Sequence, residues 1–105
     1  MEDVKQISSI TLKHWLETGK QVSIIDICPA KQRLESSIPG SIHVNVYDKL
    51  KQNDSSAFTN FYADKLIPIV AYCGSGKTSL IAAAILTKKG YNAFSLQGGL
   101  NEWNK

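Results

Sequence analysis

Cys73 is the residue best placed to do chemistry. It stands first in the loop Cys73-Gly74-Ser75-Gly76-Lys77-Thr78-Ser79, between an apolar run over 67–72 and an alanine-rich run over 78–89 that Gly90 closes. The pattern predicts a buried strand, a tight loop and a helix. Backbone N–H groups converge in such a loop, and the helix macrodipole adds partial positive charge at its start. Lys77 brings a full positive charge. These terms favour the thiolate, which a free cysteine forms only near about pH 8.5, and they predict a nucleophile at neutral pH.

Other chemistries use similar loops. Gly76-Lys77-Thr78 is the tail of the P-loop pattern G-x-x-x-x-G-K-[ST], with Ala71 where the first glycine belongs. A P-loop nucleotidase also needs an acid for Mg²⁺ at the end of a downstream strand. The one run downstream of the helix that reads as a strand, 92–96, ends without an acid, and Asp26 lies upstream. Nucleotide binding is therefore the weaker reading. A cysteine phosphatase needs arginine six residues beyond its nucleophile, because the guanidinium fork holds the phosphate. That position is Ser79. An inert buried cysteine is the bland alternative, but packing alone needs neither two glycines nor Lys77.

The rest of the chain must position this loop. Residues 7–19 predict a helix, with Ser8 or Ser9 as cap, Leu12, Trp15 and Leu16 at helical spacing, and Gly19 as the stop. The run 22–26 is apolar, β-branched and ends in Asp26, as a central strand would. Pro29 opens a short helix through 35. Ile38-Pro39-Gly40 is a turn, and 41–44 a brief strand. Residues 45–64 suggest two short helices split by the polar stretch 52–56. The helix after the Cys73 loop is apolar nearly all round, which predicts that it is largely buried. A strand over 92–96 precedes the Gly98-Gly99 turn and a terminal helix carrying Trp103. Alternating strands and helices imply an α/β fold, with a mostly parallel central sheet flanked by helices on both faces. Ligands of such sheets bind beyond the C-terminal strand ends, where Asp26, Cys28 and Cys73 fall.

The totals agree with one ordinary domain over 1–105. The chain is 43% hydrophobic and 20% charged, with a formal charge of +3 spread over scattered lysines, so neither nucleic acid nor membrane is an expected partner. The polar, acidic start does not suit a secretory signal, and no apolar run is long enough to span a bilayer. Two cysteines make no disulfide framework. Reduced thiols in the cytoplasm are the expectation.

Five stretches together resemble a single rhodanese-like (sulfurtransferase) domain. They are ISSITLKHWLETG, VSIID, IPGSIHV, PIVAYCGSGKTSLIAAAILTKKGY and LQGGLNEW, in the family's order and spacing. The resemblance implies that Cys73 accepts a sulfane sulfur, becomes a persulfide and passes the sulfur on. The amides of Gly74, Ser75, Gly76, Lys77, Thr78 and Ser79 would cradle the outer sulfur. The Thr78 and Ser79 hydroxyls would add donors, and Lys77 would attract an anion. The sulfur is expected at the mouth of this amide-lined bowl.

No metal or organic cofactor is required. The implied partners are a small anionic sulfur donor such as thiosulfate or mercaptopyruvate, or a protein persulfide, and a thiol or cyanide-like acceptor. The alternative is a non-catalytic sulfur-carrier or regulatory binding module. His14 and His43 receive no role.

The chain departs from the family where Asp-Val-Arg is common. Here it reads Asp26-Ile27-Cys28, which leaves the charge balance of the pocket open and makes Cys28 a candidate to resolve the Cys73 persulfide or to pair with Cys73 as a disulfide. Asp26 is expected to hold loop geometry rather than to act on substrate. The loop also resembles the Cys-Gly-Ser-Gly-Val-Thr of 3-mercaptopyruvate sulfurtransferases, which take substrate-binding arginines from outside it. This chain has one arginine, Arg33.

Overall fold

The computed structural model describes residues 4–105. Its elements are β1 (Gln6–Ile7), α1 (Ser9–Glu17), β2 (Ser23–Asp26), α2 (Ala30–Glu35), β3 (Ile42–His43), α3 (Tyr47–Lys51), a 3-10 turn (Ser55–Phe58), β4 (Ile69–Tyr72), α4 (Thr78–Lys88), β5 (Ala93–Leu96) and α5 (Gly99–Trp103). The strands form one sheet in the order β1-β5-β4-β2-β3, and every pairing is parallel. This is the α/β architecture the alternation predicts.

β4 lies at the centre, and its four residues are 0% exposed. Covering each Ile or Val on both faces contributes roughly 1.5–3 kcal/mol, so β4 and the ends it presents are the most firmly placed part of the chain. Its register pairs Asp26 with Tyr72 and Ala71 with Ser95. Side chains alternate along a strand, so Ala71, Cys73 and Ser95 share the face that α4 covers, while Tyr72 and Asp26 point to the other. On that other face Trp15 of α1 meets Phe94 edge to face, with ring centroids 5.5 Å apart. α5 joins α1 there, since the Lys13 ammonium donates to the Trp103 carbonyl.

Several expectations shift. β1 was not legible, because two residues carry no periodicity. It forms because β5 offers an open edge, where Ser95 N–H donates to the Lys5 carbonyl and Gln97 N–H to that of Ile7. β4 starts at Ile69, since Pro68 has no N–H to give a ladder, and Leu66 is 92% exposed. Ser8 is the α1 cap, its hydroxyl accepting from Thr11 N–H, while Leu16 turns outward at 41% exposed. In the 45–64 region only α3 is an α-helix. The second element is the 3-10 turn, capped by Asp54 and held by edge-to-face contacts of Phe58 with Phe61 and of Phe61 with Tyr91.

α4, expected to be largely buried, is covered on one face only. Thr78, Ser79, Ala82, Ala83 and Leu86 are buried. Leu80, Ile81, Ala84 and Ile85 instead line an open groove with Val4 and Lys88.

Candidate active site

β4 runs out at Tyr72, and the chain turns sharply through Gly76, whose φ is +91°. A Cβ at 76 would sit 2.9 Å from the Gly98 nitrogen and 3.1 Å from the Leu96 carbonyl oxygen, so only glycine fits. The turn brings two amides onto the Cys73 sulfur. Gly76 N–H donates to Sγ at 3.2 Å and Ser79 N–H at 3.4 Å. α4 has no side-chain cap, since Lys77 stands at the cap position and caps nothing. The sulfur takes that place, accepting from the first turn of an 11-residue helix at its positive end. The sulfur is thus held by two backbone donors at the positive end of α4.

Cys73 is only 3% exposed, so the sulfur lies at the floor of the bowl and not at its mouth. Of the loop residues, Ser75 and Lys77 are exposed and Thr78 is buried. Gly74 lies under the side chain of Gln32 of α2, whose Nε2 is 2.6 Å from where a Cβ at 74 would stand. Gln32 is thus a wall of the site, which no motif signalled. The other wall is α5. Leu100 N–H donates to the Cys73 carbonyl at 2.8 Å, and Asn101 N–H donates to that of Gly74 at 3.0 Å.

The open charge balance is closed by Arg33. Its Nη1 lies 2.8 Å from Oδ2 of Asp26, which is 0% exposed, and its Nη2 donates to the Ser41 carbonyl at 3.0 Å. Asp26 also accepts from the Tyr72 hydroxyl and the Cys28 N–H, each at 2.8 Å. The pocket therefore does not lack an arginine. The guanidinium comes from α2 instead of the strand end, and its charge is committed to Asp26. As expected, Asp26 ties the ends of β2 and β4 together. Burial pushes the Tyr72 phenol above its usual range, bonds with Ser41 and Ile38 oppose it, and its own hydrogen bond to the Asp26 carboxylate adds to the rise.

Cys28 is fully buried. Burial pushes its thiol up, the Asp26 carboxylate adds to that, and Arg33 opposes it. It therefore stays protonated, and so unreactive, at neutral pH. Both cysteines are free. His43 is not idle: its Nε2 is 2.9 Å from the Cys28 carbonyl and braces the β2 end, while His14 is exposed. Iodoacetamide at neutral pH is expected to label Cys73 in the native protein and Cys28 only after unfolding. Peptide mapping checks this, and native labelling of Cys28 would contradict the burial argument.

Sequence reasoning passed over Ser95. Its hydroxyl is 2.7 Å from that of Ser79, which is itself 3.6 Å from Cys73 Sγ. The available signal was a polar residue in an apolar run, at a position whose alternation faces the core.

A parallel sheet with a cysteine seated in a helix-opening amide loop defines a class, and comparison with known proteins agrees. The chain matches the family model described as Rhodanese-like domain over residues 9–105, and it belongs to that family. It is 38% identical over 77 residues to a tRNA sulfurtransferase of Desulfurococcus amylolyticus, a match covering 73% of this chain and 14% of that protein. It is 25% identical over 101 residues to the putative sulfurtransferase YtwF of Bacillus subtilis, covering 96% and 91% respectively. Among solved structures, a rhodanese-like domain protein from Staphylococcus aureus shares the fold with a TM-score of 0.77 at 24% identity, covering 95% of this chain and 91% of that one. Similarity extends to the Bacillus anthracis CoADR-RHD structure, with a TM-score of 0.73 at 23% identity, where 96% of this chain matches 16% of the other. The chain thus spans about a seventh of the first of these relatives and about a sixth of the last. Among the described residues, no helix is long and apolar enough to cross a membrane.

Proposed function

We propose that this domain is a sulfurtransferase in which Cys73 carries sulfur as a persulfide. The observation that carries the reading is the pair of amides, Gly76 and Ser79, aimed at a sulfur at the head of α4. In the first step the Cys73 thiolate attacks the outer sulfur of thiosulfate. A new S–S bond forms, the bond to the sulfonate sulfur breaks, and sulfite leaves with the electron pair. In the second step a nucleophile such as cyanide attacks the outer persulfide sulfur, thiocyanate leaves, and the thiolate is restored. No net oxidant, metal or organic cofactor is needed. The loop amides of Gly74, Ser75, Gly76, Lys77, Thr78 and Ser79 are the cradle for the outer sulfur, and Lys77 is the exposed cation that draws an anionic donor.

Arg33 bears on the donor. Its commitment to Asp26 leaves it unavailable to a mercaptopyruvate carboxylate, which favours thiosulfate or a protein persulfide. The deep sulfur also supports a second reading, a carrier module loaded by a partner protein. Two free thiols suit a reducing, cytoplasmic setting.

Intact mass after incubation with thiosulfate or mercaptopyruvate, then with cyanide, tests the proposal. The expected result is one added sulfur with thiosulfate, none in C73S, and its release as thiocyanate. Loading only from a persulfidated protein identifies the carrier. No loading from any donor, with ATP-dependent stabilisation, returns the P-loop reading to first place.

A further inference from the structure

Beside the sulfur, two buried hydroxyls form a chain from the loop to β5. Ser79 Oγ is 3.6 Å from Cys73 Sγ and 2.7 Å from Ser95 Oγ. Both serines are 0% exposed. We propose that Ser95 is a positioning residue for Cys73, holding the Ser79 hydroxyl as a donor to the sulfur, a role that rests on the sulfur-transfer reading.

A hydroxyl inside a strand covered on both faces costs free energy unless it is hydrogen-bonded, and the neighbouring strand positions Ala93 and Leu96 are apolar. Among the described residues, Ser79 is the partner of the Ser95 hydroxyl. The register explains how they meet. Ser95 pairs with Ala71, two residues before Cys73 and on the same face, and the first turn of α4 descends on that face.

The chain has two directions. With Cys73 as a thiol, S–H donates to Ser79 Oγ, and the Ser79 proton points to Ser95 Oγ. When the thiol loses its proton to solvent, both hydroxyls rotate. Ser95 O–H then donates to Ser79 Oγ, and Ser79 O–H donates to the thiolate. No O–H bond breaks in either serine. Hydrogen bonds to a charged acceptor are roughly twice as strong as neutral ones, so the second arrangement favours the thiolate. Without Ser95, Ser79 loses the donor that fixes its own proton on the sulfur. Once Cys73 carries a second sulfur, most of the negative charge moves to the outer atom, one bond farther from the Ser95 hydroxyl than Sγ is. Ser95 therefore matters more for accepting sulfur than for releasing it.

The other charged or titratable groups near the site are Cys28, with Asp26, Arg33 and the Tyr72 hydroxyl behind it, and exposed Lys77 on the loop. None of them bonds to Ser95, so changing Ser95 leaves them in place.

The test is the rate of Cys73 alkylation against pH in the wild type, S95A, S79A and S95A/S79A, with thermal unfolding alongside. In S95A the rate at neutral pH is expected to fall about 3- to 10-fold, with the profile moved to higher pH by the corresponding half to one unit. S79A should fall at least as far, and S95A should add nothing to it. S95T should keep the wild-type profile, whereas S95V, of the same shape without the hydroxyl, should follow S95A. This pair carries the test if S95A does not fold. Thiosulfate loading should slow in S95A while cyanide discharge does not. A folded S95A or S95V with the wild-type profile overturns the proposal, as does a full S95A effect in the S79A background. Failure of the wild type to load sulfur defeats the sulfur-transfer reading alone, because alkylation still reports on Ser95.

Discussion

Replacing Arg33 with alanine should destabilise the domain by about 3 kcal/mol, because it strips the charge partner from a carboxylate sealed in the interior. Asp26 is 0% exposed, and its oxygens accept from Arg33, the Tyr72 hydroxyl and the Cys28 N–H. The two neutral donors remain in R33A, which keeps the loss at the lower end for a broken buried pair. The guanidinium itself is partly solvated, with 27% of its side chain exposed. Its loss also frees the Ser41 carbonyl, and with it the Ile38–Ser41 turn that meets the Tyr72 hydroxyl. R33K should recover little, since one ammonium cannot span Asp26 and Ser41 as the fork does. D26N in the R33A background should regain part of the loss by removing the stranded charge. Urea unfolding of the four proteins measures this. A change below about 1 kcal/mol in R33A would mean that the pair behaves as an ordinary surface salt bridge.

Gly99→Ala is the second large effect, and it couples stability to the site. Residue 99 has φ +56°, where a side chain costs about 1–2 kcal/mol on backbone grounds alone. A Cβ there would also lie 2.4 Å from the Cys73 carbonyl oxygen and 2.7 Å from that of Gly74, both backbone atoms that cannot swing aside. α5 must back away, breaking the Leu100 and Asn101 bonds to those carbonyls. The expected cost is above about 3 kcal/mol, with sulfur loading slowed at least about tenfold in whatever fraction folds. Calorimetry and intact-mass kinetics together check it. A G99A protein that melts and loads like the wild type would show that α5 does not hold the loop.

These two residues also mark where sequence reading stopped. Arg33 is the lone arginine of the sequence, but nothing local in the sequence points it at Asp26. It lies seven residues beyond Asp26, and the side chains meet only because α2 folds back over the β2 end. The turn at Gly98-Gly99 was legible as a turn. That it presses on the carbonyl of Cys73, 26 positions earlier, was not, because close packing between distant segments leaves no local pattern. β1 is the same case at the level of an element, a two-residue strand specified by the edge it pairs with.

By itself the sequence determined the strand–loop–helix around Cys73, the parallel alternation and the likeness to rhodanese domains. Each is written in local periodicity, in glycines where the chain must curl, or in motifs kept in order. Tertiary structure alone decided how deep the sulfur lies, which two amides meet it, where the guanidinium of Arg33 is spent, and that Ser95 stands behind Ser79. Those are distances between residues far apart in the chain, and sheet register with helix packing sets them.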